Sequence, residues 1–322
     1  YSDADLDGVT SLLILEEAIK GLGGNVVVRY FPDREKDGYG LSQKVLPSFK
    51  RYGPALLILS DCGVTNFEEV EIAKAMNLET VIIDHHEVID DKLPTASVIV
   101  DPKQKGDKYP LKAIAACGLC FKTAEALLNL KGRNTFSGSL KNSFLELAAL
   151  GSIADMVPEE KDNKFLINEG LISLGRTLRP GFKALSEIFQ STSLSNREFA
   201  QKIISVLQLT EFVGNLTESY LLLSSDNLGE AQEMAQKLVA KSKERRRFIR
   251  SKAEELINKN INDTSELIFE QGFEIPHLIT GSLSSKLCNK FKKPAFVVAQ
   301  KEDISRGSTR SPQNVNSVEA LK

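Results

Sequence analysis

The sequence predicts an α/β protein in which a doubly wound, parallel-sheet domain is joined by one long helix to a smaller α/β domain. Three observations carry this reading. Short β-branched runs alternate with helical patterns through the N-terminal region, in the order strand, helix, strand, helix, strand. Carboxylates close two of those runs, at Asp61 and Asp84, and open α/β sheets collect ligands beyond the carboxyl ends of their strands. A long amphipathic stretch, from about Asn227 to Ile257, then separates this region from a short final α/β pattern. A chain of 322 residues suits about two domains. The expected boundaries are 1–214 for the first domain, 215–260 for the connecting helix, and 261–322 for a second domain expected to be incomplete.

Composition narrows the class. Hydrophobic residues make up 42% and charged residues 26%, as in ordinary globular proteins. A net charge of -2 excludes a generally basic protein, so any nucleic-acid binding must rest on a local patch. No apolar run approaches the roughly 18 residues of a membrane span. No charged n-region with an apolar h-region opens the chain, so no membrane association is expected and the cytoplasm is the default. Four scattered cysteines argue for a reducing compartment rather than a disulfide framework.

In chain order, Asp3, Asp5 and Asp7 come first, at alternate positions. In an extended segment they would share one face and repel one another unless cations neutralised them. The competing reading is a solvated acidic turn; a calcium loop lacks its Glu at the required spacing. Gly8 permits a tight turn, and Val9 to Lys20 has helical spacing. No hydrophobic strand precedes Tyr1, so the natural first strand is expected to be missing. Asn25 to Tyr30 reads as a strand from its Val run. The glycine-bearing loop Asp33 to Gly40 follows, with Arg34 either a phosphate contact or an exposed arginine. Pro54 to Asp61 reads as a buried strand, Phe67 to Met76 as a helix, and Glu79 to Asp84 as the next strand.

That strand ends in Val81-Ile82-Ile83-Asp84-His85-His86, which holds two of the three histidines of the chain. A carboxylate and two imidazoles at a strand end are a site arrangement, since their burial without partners would be costly. The alternative is a satisfied surface turn. Cys117 and Cys120 form a CxxC pair with no second pair at zinc-site spacing, and they read as core residues. Residues 129–142 read as a polar loop without visible chemistry.

Asp-x-Asp-x-Asp-Gly-x-x-Ser at Asp3 to Ser11, Asp61-Cys62-Gly63 and Asp84-His85-His86 together resemble the DHH phosphoesterase superfamily. The segment Leu147 to Pro158, containing Asp155, resembles its last metal-binding motif. Within the superfamily the chain is most similar to the RecJ branch of single-stranded nucleic-acid exonucleases. That likeness is carried by Tyr39-Gly40-Leu41, Gly118 to Leu127, Leu178-Arg179-Pro180-Gly181, and Arg245-Arg246 within the long helix. Gly281 to Leu287 and Arg306 to Ser311 resemble the DHH-associated C-terminal domain, so the resemblance covers nearly the whole chain.

The resemblance implies an active site in the cleft between two domains and two divalent cations, manganese before magnesium. Asp5 and Asp61 would hold the first ion with Asp3 close by; Asp7, Asp61, His85 and Asp155 would hold the second. His86, Asp84 and Asp61 are the expected catalytic residues, with His86 facing a phosphate oxygen and Asp84 orienting an imidazole. Arg34, Arg245, Arg246, Gly307, Ser308 and Arg310 are the expected substrate contacts. Two departures from the family pattern stand out. Tyr1 occupies the position of a usual His, and Gln208 to Asn215 replaces an arginine-bearing segment of which only the glycine matches. The long helix carries Lys241, Lys243, Arg245, Arg246, Arg247, Arg250 and Lys252, read as a solvated face or, beside a nuclease cleft, as phosphate contacts.

The implied function is metal-dependent release of mononucleotides from an end of single-stranded DNA or RNA, in repair, recombination or replication, with replication or repair proteins as partners. Two alternatives stand beside it. One is a phosphodiesterase of short oligonucleotides or cyclic dinucleotides, a branch with a Gly-Gly-Gly-His element where this chain has Arg306-Gly307-Ser308. The other is a replication scaffold with weak activity, a class whose carboxylates erode, whereas all of them are present here.

Overall fold

The computed structural model of the protein describes residues 1–130, 136, 138–189, 194–302, 304–313 and 315. It divides into two compact units, Tyr1–Val239 and Ala240–Lys322. In the first unit the elements run α1 (Leu6–Gly21), α2 (Leu46–Phe49), β1 (Ala55–Ser60), α3 (Phe67–Ala75), β2 (Leu78–Ile83), β3 (Val98–Val100), α4 (Ala116–Leu130), α5 (Ser139–Ala154), α6 (Lys161–Leu174), α7 (Pro180–Phe189), α8 (Asn196–Leu207), β4 (Phe212–Val213), β5 (Leu216–Thr217) and α9 (Glu218–Ser224). The unit boundary falls inside α10 (Leu228–Lys259).

Strands β1, β2 and β3 pair in parallel in that order. Successive side chains of a strand point to opposite faces. Ile58, Val81, Ile83 and Val100 accordingly join the core built by α1, α4 and α5. Leu57, Leu59, Leu78 and Ile82 join a second core with Leu46 and Phe49 of α2 and Val70 and Ala73 of α3. Both faces of the sheet are covered, as a parallel sheet requires, and the doubly wound expectation holds. Every loop that leaves the carboxyl end of a strand therefore opens on one edge of a rigid, two-sided core.

Three local expectations are corrected. The segment Asn25–Tyr30 is extended but builds no ladder. Its backbone contacts are single bonds: Ser2 N–H donates to Tyr30 O at 3.1 Å, and Asn215 Nδ2 donates to Arg29 O at 2.5 Å. Tyr1 and Ser2 lie along β1 instead, through Ser60 N–H to Tyr1 O at 3.0 Å and a parallel bridge between Ser2 and Ser60. The first helix begins at Leu6 rather than Val9, because Asp5 caps it by accepting from Gly8 N–H at 3.2 Å. The polar loop expected over 129–142 falls partly outside the described residues, and α5 already begins at Ser139.

The segment Gln208–Asn215 has a structural task. Strands β4 and β5 form a hairpin across Gly214 and Asn215, with Gly214 at φ 67°. Asn215 then grips the chain on both sides of Tyr30: its Nδ2 takes Arg29 O, and its carbonyl accepts from Phe31 N–H at 3.0 Å. The hairpin thus fixes the segment that leads into the Arg34 loop.

The second unit, described by itself, contains the C-terminal part of α10, then β6 (Ile268–Gly272), α11 (His277–Phe291), β7 (Ala295–Ala299) and β8 (Arg306–Arg310). Strand β7 pairs in parallel with β6 and antiparallel with β8. Ala253 and Leu256 of α10 and Leu283 and Leu287 of α11 bury the inner face with Ile268 and Val297. Arg306–Arg310, within the segment that resembles the DHH-associated C-terminal domain, forms the strand β8. Arg-Gly-Ser-Thr-Arg has no apolar alternation to announce a strand, and its regularity comes from pairing with the Val-rich β7. Asn227 Oδ1 accepts from Glu230 N–H at 3.2 Å at the start of α10. Among the described residues no helix is long and apolar enough to cross a membrane.

The packing of α5 against α1 and α4 depends on Gly151. A Cβ there would lie 2.4 Å from Thr10 Oγ1, 2.6 Å from Cys117 Sγ and 3.2 Å from Asp7 Oδ1. Gly151→Ala must push α5 away from both helices, and the expected cost is about 1–3 kcal/mol. Urea denaturation checks this: the midpoint should fall with the slope unchanged.

Candidate metal centre

The N-terminal carboxylates divide between two tasks. Asp7 lies in the first turn of α1, not in an extended run, and it points into the protein. Its Oδ2 accepts from Ala116 N–H and its Oδ1 from Cys117 N–H, both at 2.8 Å, so the carboxylate sits on the N-terminal amides of α4. Asp3 is buried just before the helix, with Oδ1 accepting from Ala4 N–H at 2.8 Å. A Cβ on Gly8 would lie 2.1 Å from the Asp3 carbonyl oxygen, so only glycine lets the first turn close over Asp3. Asp5, the cap of α1, is the exposed member of the three.

The strand ends supply the rest. Asp61 follows β1 with φ 57°, a left-handed conformation that a short polar side chain tolerates, here at a buried position. Asp84 follows β2 and is buried. Its oxygens accept from Val64 N–H at 3.1 Å, His85 N–H at 2.7 Å and His86 N–H at 3.2 Å, while His86 Nδ1 lies 2.7 Å from Oδ1. His85 Nε2 stands 3.3 Å from Asp61 Oδ1 and 3.7 Å from Asp7 Oδ2, and its Nδ1 stands 3.8 Å from Asp155 Oδ2. Asp155 is the C-terminal cap of α5.

These side chains form three overlapping groups whose ligand atoms lie within 4.8 Å of one another: Asp3, Asp5 and Asp61; Asp7, His85 and Asp155; and Asp61, His85 and His86. Asp61 belongs to two of them. Every residue expected to hold metal is thereby brought together. Burial drives Asp61 well above the ordinary carboxylate range, and the charges of Asp7, Asp5 and Asp3 add to the effect. Asp7 is raised by burial against the opposing influence of His85, and Asp3 by burial and Asp5 against Arg34. Asp155 is pushed up to about 6, by burial and then by Asp7. Crowded carboxylates that resist ionisation, with one imidazole among hard oxygen donors, fit a manganese- or magnesium-type divalent ion.

Asp84 moves in the opposite direction. Burial alone would raise it, but the His86 hydrogen bond and charge and the Val64 and His85 amides hold it below the usual range. His86 is raised, because Asp84 outweighs burial. The far side of the His86 ring is also held, since Nε2 lies 2.8 Å from Tyr39 Oη.

Not every expected site residue stands where the sequence put it. Arg34 is exposed, but its guanidinium is engaged by carboxylates. Its guanidinium bonds Asp3 through Nε at 3.1 Å and through Nη2, and Nη2 also reaches Asp5 Oδ2 at 3.1 Å. Tyr1 makes no part of the metal groups. Its ring stacks on Tyr30 with centroids 5.4 Å apart, and its hydroxyl donates to Gly40 O at 2.7 Å. Cys117 and Cys120 are buried free thiols. Arg245, Arg246, Gly307, Ser308 and Arg310 lie in the second unit. There Arg245 Nη2 donates to Leu278 O at 2.8 Å, Arg246 Nε to Ser242 O at 3.4 Å and Arg310 Nη1 to Thr309 O at 2.8 Å. Ser308 Oγ lies 3.0 Å from Thr280 Oγ1, and Gly307 is paired with Val298 in the β7–β8 ladder.

Two residues escaped the sequence reading. Tyr39 was noted only for family likeness, yet it holds His86. Asp101, buried at the end of β3, accepts from Lys103 N–H at 2.7 Å and is pushed up to about 6 by burial. Its signal was available, because Val98-Ile99-Val100-Asp101 repeats the strand-end pattern of Asp61 and Asp84.

Comparison with known proteins gives a consistent result. Residues 1–152 match the DHH family, N-terminal domain. The whole chain is 33% identical over 331 residues to the single-stranded-DNA-specific exonuclease RecJ of Bacillus subtilis, covering 100% of this chain and 40% of that protein. It is 32% identical to the protein of the same name from Salmonella typhimurium, covering 99% of this chain and 58% of that one. The chain thus spans about half the length of the curated relatives it matches. Among solved structures it resembles exonuclease RecJ bound to manganese, with a TM-score of 0.83, 26% identity and coverage of 99% of this chain and 79% of that one. It also resembles RecJ from Thermus thermophilus in complex with Mn²⁺, with a TM-score of 0.84, 25% identity and coverage of 99% and 45%.

The raised carboxylates make a stability prediction for the metal-free protein. In the unfolded chain they titrate near ~3.9. In the folded chain Asp155 titrates at about 6, and Asp7 and Asp61 are raised as well. The folded state therefore binds protons more tightly, so this stability is full below about pH 4 and is lost as the pH rises through about 6. In chelator, the melting temperature should fall across that window, and Asp61→Asn should raise it at neutral pH and flatten the dependence. A metal-free wild type as stable at neutral as at acid pH, with Asp61→Asn no more stable, would contradict the assignment.

Proposed function

From the match of residues 1–152 to the DHH family, N-terminal domain, we propose that the protein is a divalent-metal-dependent exonuclease that hydrolyses phosphodiester bonds from an end of single-stranded DNA. The observation that carries the proposal is that the Asp61/His85/His86 group joins the other two, sharing Asp61 with Asp3/Asp5/Asp61 and His85 with Asp7/His85/Asp155. In this reading Asp5 and Asp61, with Asp3, hold one ion, and Asp7, Asp61, His85 and Asp155 hold the other. Manganese is favoured by the donor set, and solved neighbours of this fold are described with manganese. Two such ions supply a water acidic enough to attack at neutral pH and charge to stabilise the oxygens of an in-line displacement.

The chain's own residues do the remaining work. Asp84 holds His86 by Nδ1 and favours its protonated form, and Tyr39 fixes the opposite nitrogen. A cationic imidazole anchored on Asp84 offers its Nε2–H, here on Tyr39 Oη, to a phosphate oxygen whose charge grows in the transition state once the phosphate displaces the tyrosine hydroxyl. Asp84 acts through His86, as a positioning residue that the backbone of Val64, His85 and His86 keeps ionised. Within the second unit, taken by itself, Arg245, Arg246, Ser308 and Arg310 carry cationic and hydroxyl groups of the kind that binds phosphates. The relatives named for single-stranded DNA match this chain in both units, which favours a polymer over a small diester.

The test is cleavage of single-stranded DNA and RNA, each end-labelled at either end, with manganese and after chelation. Mononucleotide release that chelation abolishes is expected. His86→Gln should lower turnover about a hundredfold or more, and Asp84→Asn about 10–100-fold. Both variants should bind the strand as the wild type does. Cleavage of dinucleotides without long strands would move the protein to the small-substrate branch, and metal-independent cleavage would overturn the proposal.

A further inference from the structure

The helix that delivers Asp155 ends in a way its residues do not favour. Met156 N–H donates to Ile153 O at 3.2 Å and Val157 N–H to Ser152 O at 3.3 Å. These are the paired bonds with which a helix closes through a left-handed residue, and that residue is Met156, at φ 58°. Glycine usually fills such a place, because a Cβ there crowds the backbone. The other described non-glycine residues with positive φ are Asp, Asn or Lys, so Met156 is the one apolar side chain among them. Burial does not offset the strain. Ile153, Ala154 and Val157 pack against the core, whereas Met156 is 83% exposed.

Solitary exposed apolar residues are ordinary on a relaxed backbone. An exposed thioether on a strained one, a single peptide bond from a residue of a metal group, is different. The folded protein gains nothing from it until an apolar surface covers it. Resting on the nuclease reading, we propose that Met156 is a substrate-contact residue whose side chain packs against a nucleobase beside the phosphate held at the metal groups.

The chemistry of the side chain suits that partner. A polarizable thioether makes favourable contacts with aromatic rings, and it covers a ring without reading its hydrogen-bonding edge. Every base offers such a face, so the contact tolerates any sequence, as removal of successive nucleotides requires. The metal groups themselves contain only carboxylates and imidazoles, which serve the phosphate and leave a base without an apolar partner. A base is joined to its phosphate through one sugar, so a strand whose phosphate reaches Asp155 brings a base to the residue beside it. The two closing bonds fix the backbone that carries Met156, while its unbranched side chain lets the tip adapt to purine or pyrimidine.

The test is steady-state cleavage of end-labelled single-stranded DNA, with manganese, by the intact protein and three variants. Met156→Gly removes the thioether and suits the backbone, so it should melt about 2–4 °C above the wild type. Its KM should nevertheless rise about two- to tenfold, with kcat little changed. Met156→Gln, unbranched but polar, should raise KM in the same way, and Met156→Leu should stay near the wild type. A merely structural residue would not give a more stable protein that holds its substrate less well. Strands with an abasic nucleotide at the terminal or at the penultimate position locate the base. At one of these positions the wild type and Met156→Gly should show the same KM. An unchanged KM in both Met156→Gly and Met156→Gln, or a difference that survives both abasic strands, overturns the contact and leaves the nuclease reading in place. A Met156→Gly protein that melts below the wild type overturns the strain on which the inference stands. Failure of the wild type to cleave any strand would overturn the nuclease reading itself, and the contact with it.

Discussion

The constraint on which the structure depends is the burial of several carboxylates around one small volume. Asp3, Asp7, Asp61 and Asp84 are each at most 3% exposed, and unpaired ions in such surroundings are costly. The fold meets this constraint with backbone amides, arginine and protons before any metal is considered. Asp7 takes the first amides of α4, Asp84 takes three loop amides, and Asp3 takes Arg34. Among the described residues Asp61 has no comparable donor, only His85 at 3.3 Å, and burial and then its like-charged neighbours drive it well above the ordinary carboxylate range. Asp61 and its imidazole neighbour His85 are the two residues that each belong to two ligand groups.

The surrounding elements can be understood as what holds these groups at short range. Two strand ends deliver Asp61 and Asp84, and the in-register parallel pairing of β1 and β2 fixes their separation. The first turn of α1 delivers Asp7 only because Gly8 allows the helix to close over Asp3, and α5 delivers Asp155 only because Gly151 allows it to approach Asp7. The hairpin across Gly214 matters for the same reason at longer range, since Asn215 grips the chain at Arg29 and Phe31 just before the Arg34 loop. The segment Gln208–Asn215 therefore has a structural role.

Much of this was legible in the sequence, and what was not has identifiable causes. The helix–strand rhythm, the strand-end carboxylates and the long helix were visible because each depends on a local period or a local residue type. Asn25–Tyr30 misled because a Val run reports burial and β preference, whereas a ladder needs a neighbour of equal length, and here Ser2 and Asn215 contribute single bonds. Strand β8 was hidden for the converse reason: polar residues become a strand by pairing with β7. Arg34 was placed on a phosphate because sequence shows which loop an arginine occupies and not which carboxylate, 31 positions earlier, lies within its reach. Tyr39 and Asp101 were missed at positions where the governing rule was already in use.

The opposite behaviour of two neighbouring strand-end aspartates supports the separate roles proposed for them without appeal to any relative. Asp61 and Asp84 end paired strands and are equally buried, yet one is held far above the ordinary carboxylate range and the other below it. The cause is local: Asp61 faces carboxylates, while Asp84 faces amides and an imidazole. A carboxylate that resists ionisation among its like gains most from a cation and loses most when none is present. One that its surroundings already hold ionised needs no cation to stay charged, and in the proposed reading it keeps a neighbouring imidazole charged. Exchanging the two environments would require moving either the Val64 amide or His86, and both are set by the loops that follow β1 and β2. The division of labour between holding a metal and holding a proton donor is therefore built into the backbone at the two strand ends, before any side chain meets a substrate.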